Sequence, residues 1–81
     1  MIDRVRALVS DHAGLATDVS SLAQDADLYR AGMSSFASVQ LMLALEEAFD
    51  IEFPETMLSP RTFSSLSAIE AAVAQLTSTA A

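Results

Sequence analysis

The sequence has no cysteine and no lysine, a single histidine at His12, and no apolar run approaching the roughly 18 residues of a membrane span. Without cysteine the chain can form no disulfide, no zinc-thiolate site and no thiol nucleophile of its own. One histidine, and an Asp25-Ala26-Asp27 run without the further oxygen ligands and terminal Glu of a calcium loop, leave no metal-ligating set of recognisable spacing. Four arginines against eleven acids give a formal charge of -7, which opposes contact with nucleic-acid phosphates and anionic lipid surfaces. The N-terminus Met1-Ile2-Asp3-Arg4 lacks the charged-then-apolar layout of a secretory signal, so a cytoplasmic protein that does not enter the membrane is expected.

What remains is an 81-residue chain, long enough for one domain (1–81) and too short for two. Apolar residues make up 52% of it, but fifteen are alanine, and the larger side chains suffice only for a core of close-packed helices. Met1 and the short tail favour a free-standing protein, expected to be a monomer.

Ile2, Val5, Leu8 and Val9 share one side of an amphipathic helix over residues 2–13, with Gly14 as its stop. From Leu15 to Met33 the period is lost, which predicts a long loop pinned by Leu15, Val19, Leu22, Leu28 and Tyr29. Ser34-Ser35 opens the most strongly periodic segment, with Phe36, Val39, Met42, Leu43, Leu45 and Phe49 at helical spacing up to about residue 49. Asp50 to Phe53 alternates as a strand would, but Pro54 follows and no partner strand exists, so an extended connector is expected. Glu55 to Leu58 can form one helical turn, which Ser59-Pro60 breaks. Ser64 or Ser65 can cap a last helix carrying Leu66, Ile69, Val73 and Leu76, and the tail from Thr77 should fray. The fold class is therefore all-α, a small four-helix bundle of three main helices and one short one.

Catalysis finds little support. Ser35 as a nucleophile would need a base in reach, and a lone His12 at a helix end is a poor one. Glu46 and Glu47 point about 100° apart on a helix, and no concave pocket is expected in so small a bundle. Glu46, Glu47, Asp50, Glu52 and Glu55 put five acids and no base into ten residues, either a solvated face or a field that steers a basic partner.

The run Gly32-Met33-Ser34-Ser35-Phe36-Ala37-Ser38-Val39-Gln40-Leu41, followed by Ala44-Leu45-Glu46-Glu47-Ala48-Phe49-Asp50-Ile51-Glu52-Phe53-Pro54, resembles the acyl carrier protein family, with its peptidyl and aminoacyl carriers. Asp27-Leu28-Tyr29-Arg30-Ala31-Gly32 looks like the Asp-Leu-x-x-x-Gly that leads into the family motif. Ser35 matches the serine that receives 4'-phosphopantetheine, Ser34 stands in the Asp place of Asp-Ser-Leu, and Phe36 in the Leu place. The resemblance covers nearly the whole chain. It implies a carrier, not an enzyme, that holds an acyl or aminoacyl group as a thioester on an arm attached to Ser35. Its implied partners are a phosphopantetheinyl transferase, a loading ligase or synthase, and a downstream transferase. An unmodified helical adaptor acting only by protein binding is the alternative.

Physical chemistry independently suits Ser35, since a phosphodiester there would meet the unpaired N–H groups and positive dipole end of a helix. Ser34 and Ser35 are also both N-cap candidates, and Ser34 can cap while Ser35 is modified. Ser34, Ala37, Ser38 and Gln40 leave the first two turns without charge, which resembles carriers recognised through apolar contacts rather than acidic docking. Met33, Ser34, Phe36 and Gln40 are the expected partner-binding residues. Met33 and Phe36 are read as exposed anchors, although a large apolar residue at a helix start can instead pack inward. An amino acid, a short acyl chain and a polyketide unit all remain open as cargo.

Overall fold

The computed structural model describes residues 2–15 and 18–79. Three α-helices, α1 (Ile2–His12), α2 (Ser35–Phe49) and α3 (Leu66–Thr79), are joined by connections containing short 3₁₀ turns at Val19–Ser21, Glu55–Met57 and Pro60–Phe63. The described residues include no strand, and no helix is long and apolar enough to cross a membrane.

In α1, Val5 and Val9 are fully buried, and Asp3 and His12 sit at the ends where the helix dipole favours them. Gly14, at φ 65°, turns the chain away in a backbone conformation that an L side chain rarely adopts. The long connection is held by main-chain bonds as well as by apolar pins. Arg6 donates from Nη1 to the carbonyl oxygens of Val19 (2.8 Å) and Leu22 (2.9 Å), Leu28 N–H donates to Ser64 O (2.7 Å), and Ser67 N–H to Gln24 O (2.9 Å). Leu28 and Val19 are buried, while Leu15, Leu22 and Tyr29 are half-buried against the core, as the pin reading requires. Asp18 caps the first 3₁₀ turn, and the hydroxyl and N–H of Ser20 hold its carboxyl below the ordinary carboxylate range. That turn has no periodic apolar signature and is absent from the sequence reading. Ala16 and Thr17 of this connection lie outside the described residues.

The apolar residues at helical spacing in α2 do not all turn inward. Leu41 and Leu45 are fully buried, whereas Val39 and Leu43 are 49% and 50% exposed, and Phe36, at 73%, is exposed as its reading as an anchor expects. The helix is apolar around most of its circumference, so periodicity marks it as a helix without saying which stripe turns inward.

Asp50 ends α2 in the left-handed region (φ 53°), and the N–H groups of Asp50 and Ile51 both reach Glu46 O. The connector from Ile51 to Pro54 is extended, as expected. Glu46 accepts the N–H of Phe53 at 2.9 Å, and buried Phe53 packs edge-on to Phe63 with centroids 5.3 Å apart. Glu46 is thus a tether for the connector rather than part of a free acidic face. The chain also brings a base to that end of α2. Arg4 donates from Nη2 to Ala48 O (2.6 Å) and lies 4.7 Å from the Phe49 ring centroid.

Pro60 does not simply break structure: it starts the 3₁₀ turn Pro60–Phe63. Ser65 caps α3, its Oγ accepting from Ala68 N–H at 3.0 Å, and Leu66, Ile69, Ala72 and Val73 face the core. The helix continues through the expected frayed tail to Thr79, with Thr77 Oγ1 donating to Val73 O at 2.9 Å. The rest of that tail, Ala80 and Ala81, lies outside the described residues.

Candidate functional site

The approach to α2 is built by Asp27. Its Oδ1 accepts the N–H of Tyr29 at 2.9 Å and, more weakly, that of Arg30 at 3.4 Å, while its carbonyl accepts Ala31 N–H at 3.1 Å. Gly32, at φ 118°, then reverses the chain, and Met33 N–H returns to Leu28 O at 3.0 Å. The Asp-Leu-x-x-x-Gly run is therefore a turn whose buried Leu28 anchors the start of α2 to the start of α3.

Met33 is 3% exposed. It packs into the core and is not the exposed anchor expected from sequence. An apolar side chain just before an N-cap can fold back beneath its helix, and this one does so because the Gly32 turn points it inward.

Ser34 is the N-cap of α2, its Oγ accepting from Ala37 N–H at 3.0 Å. Ser35 follows as the first helical residue and is exposed to solvent. With Ala37 N–H capped, the N–H groups of Ser35 and Phe36 remain without intrahelical acceptors by helix geometry, and the first turn carries no acid. An anion bonded to Ser35 would meet two amide donors and the positive end of a 15-residue helix. The structure therefore divides the two serines as expected, one capping and one presented. Ser38 Oγ donates to Ser35 O at 2.7 Å and fixes that first turn.

Against the expectation of no concavity, an apolar cleft of about 320 Å³ opens beside Ser35. Val39 and Met42 of α2 line it together with Tyr29, Leu58, Pro60 and Phe63. It was illegible in the sequence because α2 and the approach to it form the cleft with residues 58–63, which only the fold brings against them. On the outer face of α2, Phe36, Gln40 and Leu43 are exposed at positions i, i+4 and i+7, with Val39 between them and the cleft.

His12 lies elsewhere, in a shallow groove between α1 and α2 with Arg4, Leu8, Ala44, Glu47 and Ala48, and does not line the cleft that Ser35 lines. No cluster able to hold a metal ion occurs among the described residues.

The capped start of α2 thus leaves the Ser35 hydroxyl open to solvent, with no acid in the first turn. The sequence pattern of the family described as "Phosphopantetheine attachment site" matches residues 3–73, and the chain belongs to that family. It is a carrier domain, acted on by enzymes rather than being one, and its prosthetic group is 4'-phosphopantetheine.

Among its relatives, an aminoacyl carrier protein of Agrobacterium fabrum strain C58 is 54% identical over 66 residues, covering 82% of this chain and 80% of the relative. Aminoacyl carrier protein 1 of Bradyrhizobium diazoefficiens is 33% identical over 70 residues, covering 86% and 73%. A carrier protein from Agrobacterium tumefaciens, in complex with an engineered Bradyrhizobium japonicum glycine:carrier protein ligase and AMP, matches with a TM-score of 0.89 and 51% identity. That match covers 91% of this chain and 99% of the other. A Bradyrhizobium japonicum structure of the glycine ligase complexed with glycylated carrier protein matches with a TM-score of 0.65 and 30% identity, covering 88% and 90%.

Proposed function

We propose that Ser35 is the attachment residue and that this carrier holds an amino acid as a thioester. It would receive the amino acid from an amino acid:carrier ligase and present it to a downstream transferase. The observation that carries the assignment to Ser35 is its exposure at the first position of α2 while Ser34 is occupied as the cap. The residues present fit the group, offering a reachable hydroxyl, unpaired amide donors for the phosphate, and no carboxylate in the first turn to repel it. In modification by a phosphopantetheinyl transferase, Ser35 Oγ forms a bond to the pantetheine-linked phosphorus of coenzyme A. The phosphoanhydride bond breaks, adenosine 3',5'-bisphosphate leaves, and the hydroxyl proton passes to a base on the transferase. The attached group supplies the thiol that this cysteine-free chain lacks.

Likeness to aminoacyl carriers supports an amino acid as cargo, and two related carriers are seen with a glycine ligase. The outer face of the first turns of α2, where Phe36 and Gln40 are joined by Val39 and Leu43 and no charge occurs before Glu46, supports recognition by apolar contact. Ser34 lies beside it, whereas Met33 supports the surface from below.

Incubation with coenzyme A and a broad-specificity transferase should add one phosphopantetheine by intact mass. Ser35→Ala should abolish the gain. Ser34→Ala should keep it while losing about 1 kcal/mol of stability with the cap. A gain that survives Ser35→Ala, or no gain with several transferases, would overturn the assignment. The unmodified-adaptor alternative instead predicts that Ser35→Ala leaves partner binding and cellular function intact.

A further inference from the structure

The cleft beside Ser35 has a chemistry that sorts what can enter it. Its walls are Val39, Met42, Leu58 and Pro60, with Phe63 and Tyr29 beside them, and the remaining lining residues, Ser35, Ser38 and Ser59, are uncharged. No carboxylate, guanidinium or imidazole lines it. An ammonium group placed there would lose hydration with no opposite charge to compensate, whereas a branched alkyl group would only leave water. Ser38 commits its proton to Ser35 O, so its oxygen remains as an acceptor for a neutral donor.

Ser35 is itself part of the lining, so anything esterified to it is tethered at the mouth of this cleft, and tethering makes even a weak contact intramolecular. The phosphopantetheine arm changes character along its length. Next to the phosphate comes the pantoyl unit, with a dimethyl-substituted carbon, a hydroxyl and an amide. The thiol, and any aminoacyl group on it, lie at the far end.

Resting on the attachment at Ser35, we propose that the cleft holds the dimethyl-bearing pantoyl section of the arm and leaves the thiol end, with its charged aminoacyl cargo, in solvent. The carrier thereby restrains the root of the arm while keeping the thioester accessible to the next enzyme. A long acyl chain folded into the cleft is the competing occupant.

The test uses isotopically labelled full-length carrier, converted to the holo form with unlabelled coenzyme A. Filtered NOE spectra should connect the pantoyl methyls to the methyls of Met42 and Leu58, and amide shifts of Val39, Met42 and Phe63 should move between apo and holo protein. Leu58→Ser, at a half-exposed position outside the α-helices, should remove those NOEs without unfolding the domain. After loading with glycine, the glycyl protons should show no NOE to the cleft. Shift changes confined to residues 34–37 with no pantoyl NOE, unchanged NOEs in Leu58→Ser, or glycyl NOEs to Met42 or Phe63 would overturn the proposal. Intact mass separates the two readings: a mass gain without NOEs overturns the cleft alone, and no mass gain on Ser35 overturns both.

Discussion

At the scale of single residues, adjacent positions carry different jobs. Ser34 and Ser35 are chemically identical, yet one hydroxyl accepts Ala37 N–H and the other faces solvent. The arrangement follows from position, since only the residue before the helix has the extended backbone (φ -81°, ψ 165°) from which a side chain can reach the third amide. Asp50 shows the opposite economy, because it ends α2 with a positive φ at a place where glycine would carry no strain, and it adds a negative charge at the negative end of the helix dipole. Asp50→Gly should therefore stabilise the domain by about 1 kcal/mol in urea unfolding. A loss of stability would show that the Asp50 side chain makes a contact worth more than the strain.

At the scale of elements, α2 carries both the proposed attachment point and the surface proposed to meet partners. Its length of 15 residues places Asp50, just past its end, roughly 20 Å along the axis from Ser35, so the field of that carboxylate is screened at Ser35 in physiological salt. Because Phe36 is 73% exposed, Phe36→Ser should change unfolding free energy by no more than about 0.5 kcal/mol. The same substitution should lower kcat/KM for loading by an amino acid:carrier ligase about tenfold or more, with little dependence on salt in the wild-type reaction. Loading that is unaffected by Phe36→Ser, or that collapses as salt is raised, would place recognition on the acidic end instead.

The start of α2 was legible from Ser34-Ser35, its end from the acidic turn before Pro54, and the end of α1 from Gly14, because such residues act through local backbone geometry. The inward stripe of α2 was not legible, since an apolar residue at Val39 or Leu43 looks the same whether it meets the core or water. Met33 and Glu46 were misread for a related reason: what each does depends on Leu28, Phe53 and other residues that only the folded chain brings near.

At the scale of the whole molecule, the described residues of the long connection between α1 and α2 are structural rather than loose. Leu28 is fully buried, its N–H binds Ser64 O, and its carbonyl receives Met33 N–H, so one residue couples the start of α3 to the presentation of Ser35. Leu28→Ala should cost about 2–5 kcal/mol in unfolding free energy. It should also broaden the amide signals of residues 33–36 below the unfolding transition. Sharp signals there would mean that Ser35 is held by α2 alone.

The central claim, that this carrier bears its cargo through Ser35, is tested most directly by fragmenting the intact protein purified from its own cells under conditions that preserve thioesters. A phosphopantetheine on the peptide containing Ser35, extended by an aminoacyl mass that hydroxylamine removes, is the predicted result. A chain unmodified at Ser35 in every preparation, or an arm attached to a different serine, would contradict it.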